Sequence, residues 1–306
     1  MMKQKQKKPI HWKAINRTLL PYYFLAPAGI VLLLFVAYPI LNIFYYSFQN
    51  YNPSKAAQNG FAGMQNYINL FTKDKVFLDS LLVSVKWILV VVSMQFILGM
   101  IFALVLNNNF KCRGLARAAA FAPWALNGVM IAILWSLIFN QNIGVLNDLL
   151  MRIGMIQEPI AWLANPKTAF WAVCVAELWG GVPFFAISVL AKLQAIPTEL
   201  YESCEIDGAN RFEKFRYITF PLIKDAVVLL TLLRTVWEFN SVDLLLNLTG
   251  GGPMGMTSTL SIYLANQAIK TRNFGYGSAI GVVTFLIMLL FSAVYLRTTR
   301  YQEEEK

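Results

Sequence analysis

Two carboxylates stand inside apolar runs of this 306-residue chain: Glu177, in FWAVCVAELWGG, and Glu238, in VVLLTLLRTVWEF. A charge at mid-bilayer costs about 2.5–3.5 kcal/mol even on a lenient insertion scale, so such residues mark candidate function. Carboxylates there can accept hydrogen bonds from the hydroxyls of a polar solute, or carry protons. Each also has a structural alternative. Arg234 lies four residues before Glu238 and can pair with it along a helix. Glu177 has no such neighbour, and its alternative is a bond to another helix. Other chemistries lack residues. The single histidine is His11, and Cys112, Cys174 and Cys204 have no CxxC spacing, so neither a zinc centre nor a thiol redox motif is suggested. An intramembrane enzyme would need a metal or nucleophile cluster that the sequence lacks. No GxxxxGK[ST] phosphate loop is present, and Gly250-Gly251-Gly252-Pro253 lacks the lysine.

The elements that must hold these carboxylates are membrane helices. Hydrophobic residues make up 57% of the chain, above the range of soluble domains. Apolar stretches of about 20 residues, long enough to cross a bilayer, recur. The sequence predicts an all-α, polytopic membrane protein with six transmembrane helices near 19–48, 79–106, 116–139, 168–191, 222–246 and 275–297. Residues 1–18 form a basic tail, 19–297 the permeation unit with a polar insert at 192–221, and 298–306 an acidic-ended tail. The net charge of +10 comes from short flanks beside apolar runs, which is a topology signal and not a nucleic-acid footprint. Most lysines and arginines fall in the tails and in the segments at 107–115 and 192–221, which puts both termini and the insert in the cytoplasm. Glu177 and Glu238 then lie at one depth, roughly 12–14 Å below the outer helix ends. Lys86 near the outer end of the second helix is expected to snorkel, and Asp243 to face the outer vestibule.

The insert PTELYESCEIDGANRFEKFRYITFP (197–221) reads as helix, bend, helix. Thr198 is expected to cap the first helix. Leu200, Tyr201, Cys204 and Gly208 share a face by spacing, and Asp207-Gly208 breaks the helix. Asn210, with Glu213 three residues on, approaches a capping box. Phe212, Phe215 and Ile218 line one side of the second helix, which Pro221 ends or hands on to the next span. A solvated amphipathic loop is the plainer reading.

Glu202-Ser203-Cys204, then Asp207-Gly208-Ala209, then Phe215, Ile218 and Pro221 resemble the EAA loop of ABC importer permeases. Ser203 and Cys204 stand where that family has alanines, and both are small. The start YFLAPAGIVLLLFVAYPI (23–40) and the stretches LTGGGPMGMTSTLSIYLANQA (248–268) and NFGYGSAIGVVTFLIMLLFSAVY (273–295) resemble the maltose-type, carbohydrate-uptake branch. That resemblance implies a non-enzymatic subunit of the bacterial or archaeal cell membrane. Its partners would be a second homologous permease, a cytoplasmic ABC ATPase dimer that uses ATP, and an extracytoplasmic solute-binding protein. The chain itself would bind no cofactor or metal. It implies that Glu202, Ser203, Cys204, Asp207, Gly208 and Ala209 contact the ATPase. It implies that Trp124, Gly128, Glu177, Gly181, Phe184, Trp237, Glu238 and Ser241 border the path of a sugar. Acidic residues at positions that are amides in the family pattern disfavour an anionic uronate. Each aromatic, taken singly, also fits packing or interface anchoring. The rival function is a proton-coupled secondary transporter using Glu177 and Glu238, which leaves the insert unexplained.

Overall fold

Prolines and asparagines decide where the helices bend and end. The computed structural model describes residues 12–300, with side-chain exposure from Leu20 to Thr299. The expectations for the basic tail before Trp12 and for Glu303–Glu305 lie outside the described residues.

The first long helix is α1 (Trp12–Leu32), one widened turn at Leu33–Ala37, and α2 (Tyr38–Ser47). A two-stranded hairpin follows, β1 (Gln49–Asn50) against β2 (Gly60–Phe61). Next come α3 (Gln65–Thr72), α4 (Lys75–Asn107), α5 (Arg113–Phe121), α6 (Gly128–Ile138) and α7 (Val145–Arg152). Then follow α8 (Ala169–Gln194), α9 (Thr198–Ile206), α10 (Arg211–Lys214) and a second widened turn at Phe215–Thr219. The chain closes with α11 (Phe220–Phe239), α12 (Asp243–Leu248), α13 (Leu260–Ile269) and α14 (Phe274–Arg300). Each widened turn lies just ahead of a proline, Pro39 or Pro221, which has no N–H for the helical ladder; the extra residue in the turn absorbs that missing bond. Pro221 therefore passes the helix on, and α10 runs without a break into α11.

Among the described residues, four helices are long and apolar enough to cross a membrane: Leu20–Ser47, α4, α8 and the Phe274–Thr299 part of α14. The pair Arg113–Ala125 and Gly128–Ile138 qualifies as a fifth only if counted together, and it is bent by 101°. The span expected near 116–139 is thus sharply broken in its middle. Pro123 cannot extend the ladder, Leu126 is extended, and the Asn127 side chain accepts from the Met130 amide at 2.9 Å to cap a new helix. The span expected at 222–246 is shortened as well. It stops at Phe239, where the Asn240 side chain turns back to the Val236 carbonyl at 2.8 Å. Thr198 makes no side-chain cap, because Pro197 occupies the capping position of α9.

Packing is tightest where α4 lies along α8, and glycine makes that approach possible. A Cβ on Gly99 would sit 2.4 Å from the Phe185 Cβ. Trp87, Val91, Phe170, Val173 and Ala176 form a buried cluster between these helices, with Ile131, Leu244 and Leu245 added from α6 and α12. Nearer the 197–221 elbow, Met100, Ala103, Val189, Leu193, Ile223 and Val227 join α4, α8 and α11, with Phe215 packed against them. At the far end Asp74 caps α4 through the Phe77 amide. It also accepts from the Tyr263 hydroxyl at 2.6 Å and the Tyr276 hydroxyl at 2.5 Å, tying α13 and α14 to α4. Burial and this carboxylate push the Tyr263 phenol above its ordinary range, so it stays a donor. Lys86 is exposed and lies over the Phe170 ring, 4.0 Å from its centroid, with Trp171 beside it.

Candidate functional site

Three helices bring four polar side chains to one point in an apolar interior. α4 supplies Gln95, α8 supplies Glu177, and α11 supplies Arg234 and Glu238. Arg234 and Glu238 are one helical turn apart and pair directly. The same Arg234 Nη2 donates to Glu177 Oε1 across the helices at 3.2 Å. Gln95 completes the cluster: its Oε1 accepts from Arg234 Nε at 2.8 Å and its Nε2 donates to Glu238 Oε1 at 2.9 Å. Side-chain exposure is 9% for Arg234, 15% for Glu177 and 1% for Glu238. Both alternatives weighed from sequence, the pairing along the helix and the bond between helices, are therefore realised on one arginine.

Gly181 leaves the room for this. A Cβ there would lie 2.1 Å from Gln95 Nε2 and 2.4 Å from Arg234 Nη2. The equal depth inferred for the carboxylates holds as proximity but not by helix counting, because α11 ends one residue after Glu238.

Beside the cluster opens a polar cavity of about 340 Å³. Its wall includes Trp124, Gly128, Glu177, Arg234, Ser241 and Asp243. The bends corrected above build it: the 101° break delivers Trp124 and Gly128, and the end of α11 delivers Ser241 and Asp243. Gly128 is pressed against α12, where a Cβ would come within 2.9 Å of the Asp243 Cβ. Gly181, Phe184, Trp237 and Glu238 are not wall residues but adjoin it. The Phe184 ring lies 6.3 Å from Trp124 and 5.1 Å from Trp237. The Arg234 guanidinium carbon is 5.9 Å from the Phe184 centroid and 6.0 Å from that of Trp237. The arrangement offers acceptors, cationic donors and ring faces within one small space, the set that recognises hydroxyls and C–H faces together. Gln95 was missed from sequence, although it is the only amide between Val76 and Leu106. Among the described residues no group of three or more His, Cys, Asp or Glu side chains is arranged to hold a metal ion.

The elbow is the second site. α9 ends at Ile206 with Asp207 as its C-cap, and Gly208 takes φ +80°, with nothing within 4 Å of where a Cβ would stand. Asn210 and Glu213 form a full capping box: Asn210 Oδ1 accepts from the Phe212 and Glu213 amides at 2.9 and 3.0 Å, and Glu213 accepts from the Asn210 amide at 2.7 Å. Lys214 pairs with Glu205, and the Tyr201 and Thr219 hydroxyls meet at 2.9 Å, so α9 is braced against α10 and the widened turn that follows it. Glu202, Ser203, Asp207 and Gly208 are exposed, Cys204 and Ala209 half-buried. Of the face expected from spacing, Tyr201 and Cys204 turn inward, while Leu200 and Gly208 are exposed. Ile206 (88% exposed) and Phe212 (70%) stand out on the surface.

Residues 95–303 match the family model described as binding-protein-dependent transport system inner membrane component. The chain is 37% identical to the trehalose/maltose transport system permease protein MalF of Thermococcus litoralis, over 93% of this chain and 95% of that protein. It is 34% identical to the sulfoquinovosyl glycerol transport system permease protein SmoG of Agrobacterium fabrum, over 95% and 94%. Among solved structures, a bacterial ABC transporter involved in the import of the acidic polysaccharide alginate contains a chain of the same fold. Its TM-score is 0.83 at 21% identity, covering 95% of this chain and 98% of that one.

Proposed function

Because the chain belongs to the family of inner membrane components of binding-protein-dependent transport systems, we propose that it is the permease subunit through which an ABC importer passes a sugar or oligosaccharide. The observation that carries this reading is the near full-length similarity to permeases whose names specify trehalose, maltose and sulfoquinovosyl glycerol transport. It is a membrane-embedded transport protein, mostly helical, and its relatives are permeases.

Six spans follow if α1–α2, α4, the bent α5–α6 pair, α8, α11 and α14 each cross. α11 is the charged one, and its buried charges face Gln95 and Glu177 instead of lipid. The basic tail and elbow favour cytoplasmic termini. On that side the braced α9–α10 elbow, with Glu202, Ser203, Cys204, Asp207, Gly208 and Ala209, meets an ATPase dimer, and Ile206 and Phe212 supply apolar contact. A second permease completes the pore, and a solute-binding protein delivers the sugar from outside. Trp124, Gly128, Glu177 and Ser241 line the path, with Gly181, Phe184, Trp237 and Glu238 supporting them from behind. ATP is consumed by the partner subunits. Binding in the cavity is weak, since a tight site would hold the sugar back from release.

Proteoliposomes holding the chain with its partners test this. Radiolabelled sugar is expected to enter when ATP is supplied on the ATPase side with no ion gradient. Entry driven by a proton gradient without nucleotide would replace this reading with the secondary transporter.

A further inference from the structure

The cavity wall carries both signs of charge, and their connections differ. Glu177 and Asp243 face it as carboxylates, and Arg234 faces it as the one cation of the wall. Arg234 is already committed. Its Nε is held by Gln95, and its Nη2 is shared between Glu177 and Glu238. Only Nη1 has no protein partner among the described residues. Two carboxylates share one guanidinium, and Asp243 adds a third acidic group to the wall. An acidic sugar entering here meets carboxylates without gaining a bidentate arginine, the geometry that recognises carboxylates best. A neutral sugar meets the Arg234 guanidinium as a donor and Glu177 as an acceptor in one wall, which suits neighbouring hydroxyls.

Resting on the reading of this cavity as a sugar path, we propose that Arg234 is a masked specificity determinant. Gln95 and the two glutamates hold it so that the cavity takes neutral oligosaccharides and rejects uronates, and Gln95 is the positioning residue that fixes the guanidinium plane. A buried ion pair stabilises little over a hydrophobic pair of similar volume. Gly181 keeps the space that only this cluster fills.

The mask can be lifted with one atom's change. Glu177→Gln keeps the shape, leaves Nη2 facing a neutral amide oxygen in place of a carboxylate, and so loosens one claim on the guanidinium. The assembled complex, with its permease partner and ATPases in lipid nanodiscs, would be probed without binding protein by saturation-transfer NMR. The probes are a panel of neutral trisaccharides (maltotriose, galactotriose, triacetylchitotriose) and trigalacturonate. In the native complex the neutral probes are expected to give the stronger transfer. In Glu177→Gln the ratio of acidic to neutral binding should rise by about tenfold, as for one charge-assisted hydrogen bond gained. In Glu177→Gln/Arg234→Gln that gain should vanish, and in Glu177→Gln/Gln95→Met it should fall by about threefold. Glu177→Ser is the second variant, with the same expected reversal if Glu177→Gln does not assemble on size exclusion. An unchanged ratio in an assembled variant, or a gain that survives loss of Arg234, overturns the masking while leaving the sugar path intact. Absence of transfer to every probe in the native complex overturns both.

Discussion

The buried cluster and the exposed elbow are both polar inserts in an apolar protein, yet they are held in opposite ways. Around Arg234 the space is full: glycine at 181 is needed because any side chain would strike Gln95. At Gly208 the space is empty, and glycine is needed because the backbone sits at φ +80°. The same residue type is therefore required by packing in one place and by backbone angle in the other. Interior polar groups are constrained by desolvation and by neighbours, while surface elbows are constrained by local hydrogen bonds such as the Asn210–Glu213 box.

That contrast can be broken in order of size. Arg234→Met leaves Glu177 and Glu238 buried without their cation and is expected to destabilise the fold by about 3–5 kcal/mol, seen as a large fall in the melting temperature of the purified complex. Gly181→Ala overpacks the cluster and should cost about 1–3 kcal/mol; Gln95→Ala in the same chain should recover part of it by making room. Gly208→Val meets no atoms but forces a β-branched residue into the left-handed region, costing about 1–2 kcal/mol. Its larger effect is expected on function: ATPase activity persists while sugar uptake in proteoliposomes collapses. If uptake stays normal, the elbow is not the coupling element. Asn210→Ala removes the cap and should lower stability by about 1 kcal/mol, measurable as faster amide exchange confined to 210–214. A melting shift larger for Gly208→Val than for Gly181→Ala would erase the distinction between the two sites.

Much of this was legible in the chain. The carboxylates stood out because charge is rare in apolar runs, and the elbow because its capping residues and Asp-Gly break are local signals. Arg234 was visible as a neighbour one turn from Glu238, but its bond to Glu177 depends on which faces of α8 and α11 meet. Gln95 escaped because an uncharged amide barely disturbs hydropathy. The break at Asn240 and the sharpness of the bend before Asn127 escaped for a related reason. Asn240 lies where the helical pattern continues, and its side-chain bond to the Val236 carbonyl marks the end of α11; at the other bend Pro123 is a visible signal, but the angle depends on the extended Leu126 and on Asn127 capping a new helix. Those two breaks are what open the cavity, so its position was not readable from helix counting.

One consequence follows from the unbroken passage of α10 through the widened turn into α11. From Arg211 to Arg234 the chain is a single rod roughly 35 Å long. Leverage along it is simple: swinging the rod by about 5° at its surface end sweeps the other end through roughly 3 Å. The Arg234–Glu177 contact, 3.2 Å long, is about that size, so a nudge too small to unfold anything suffices to let one handshake go.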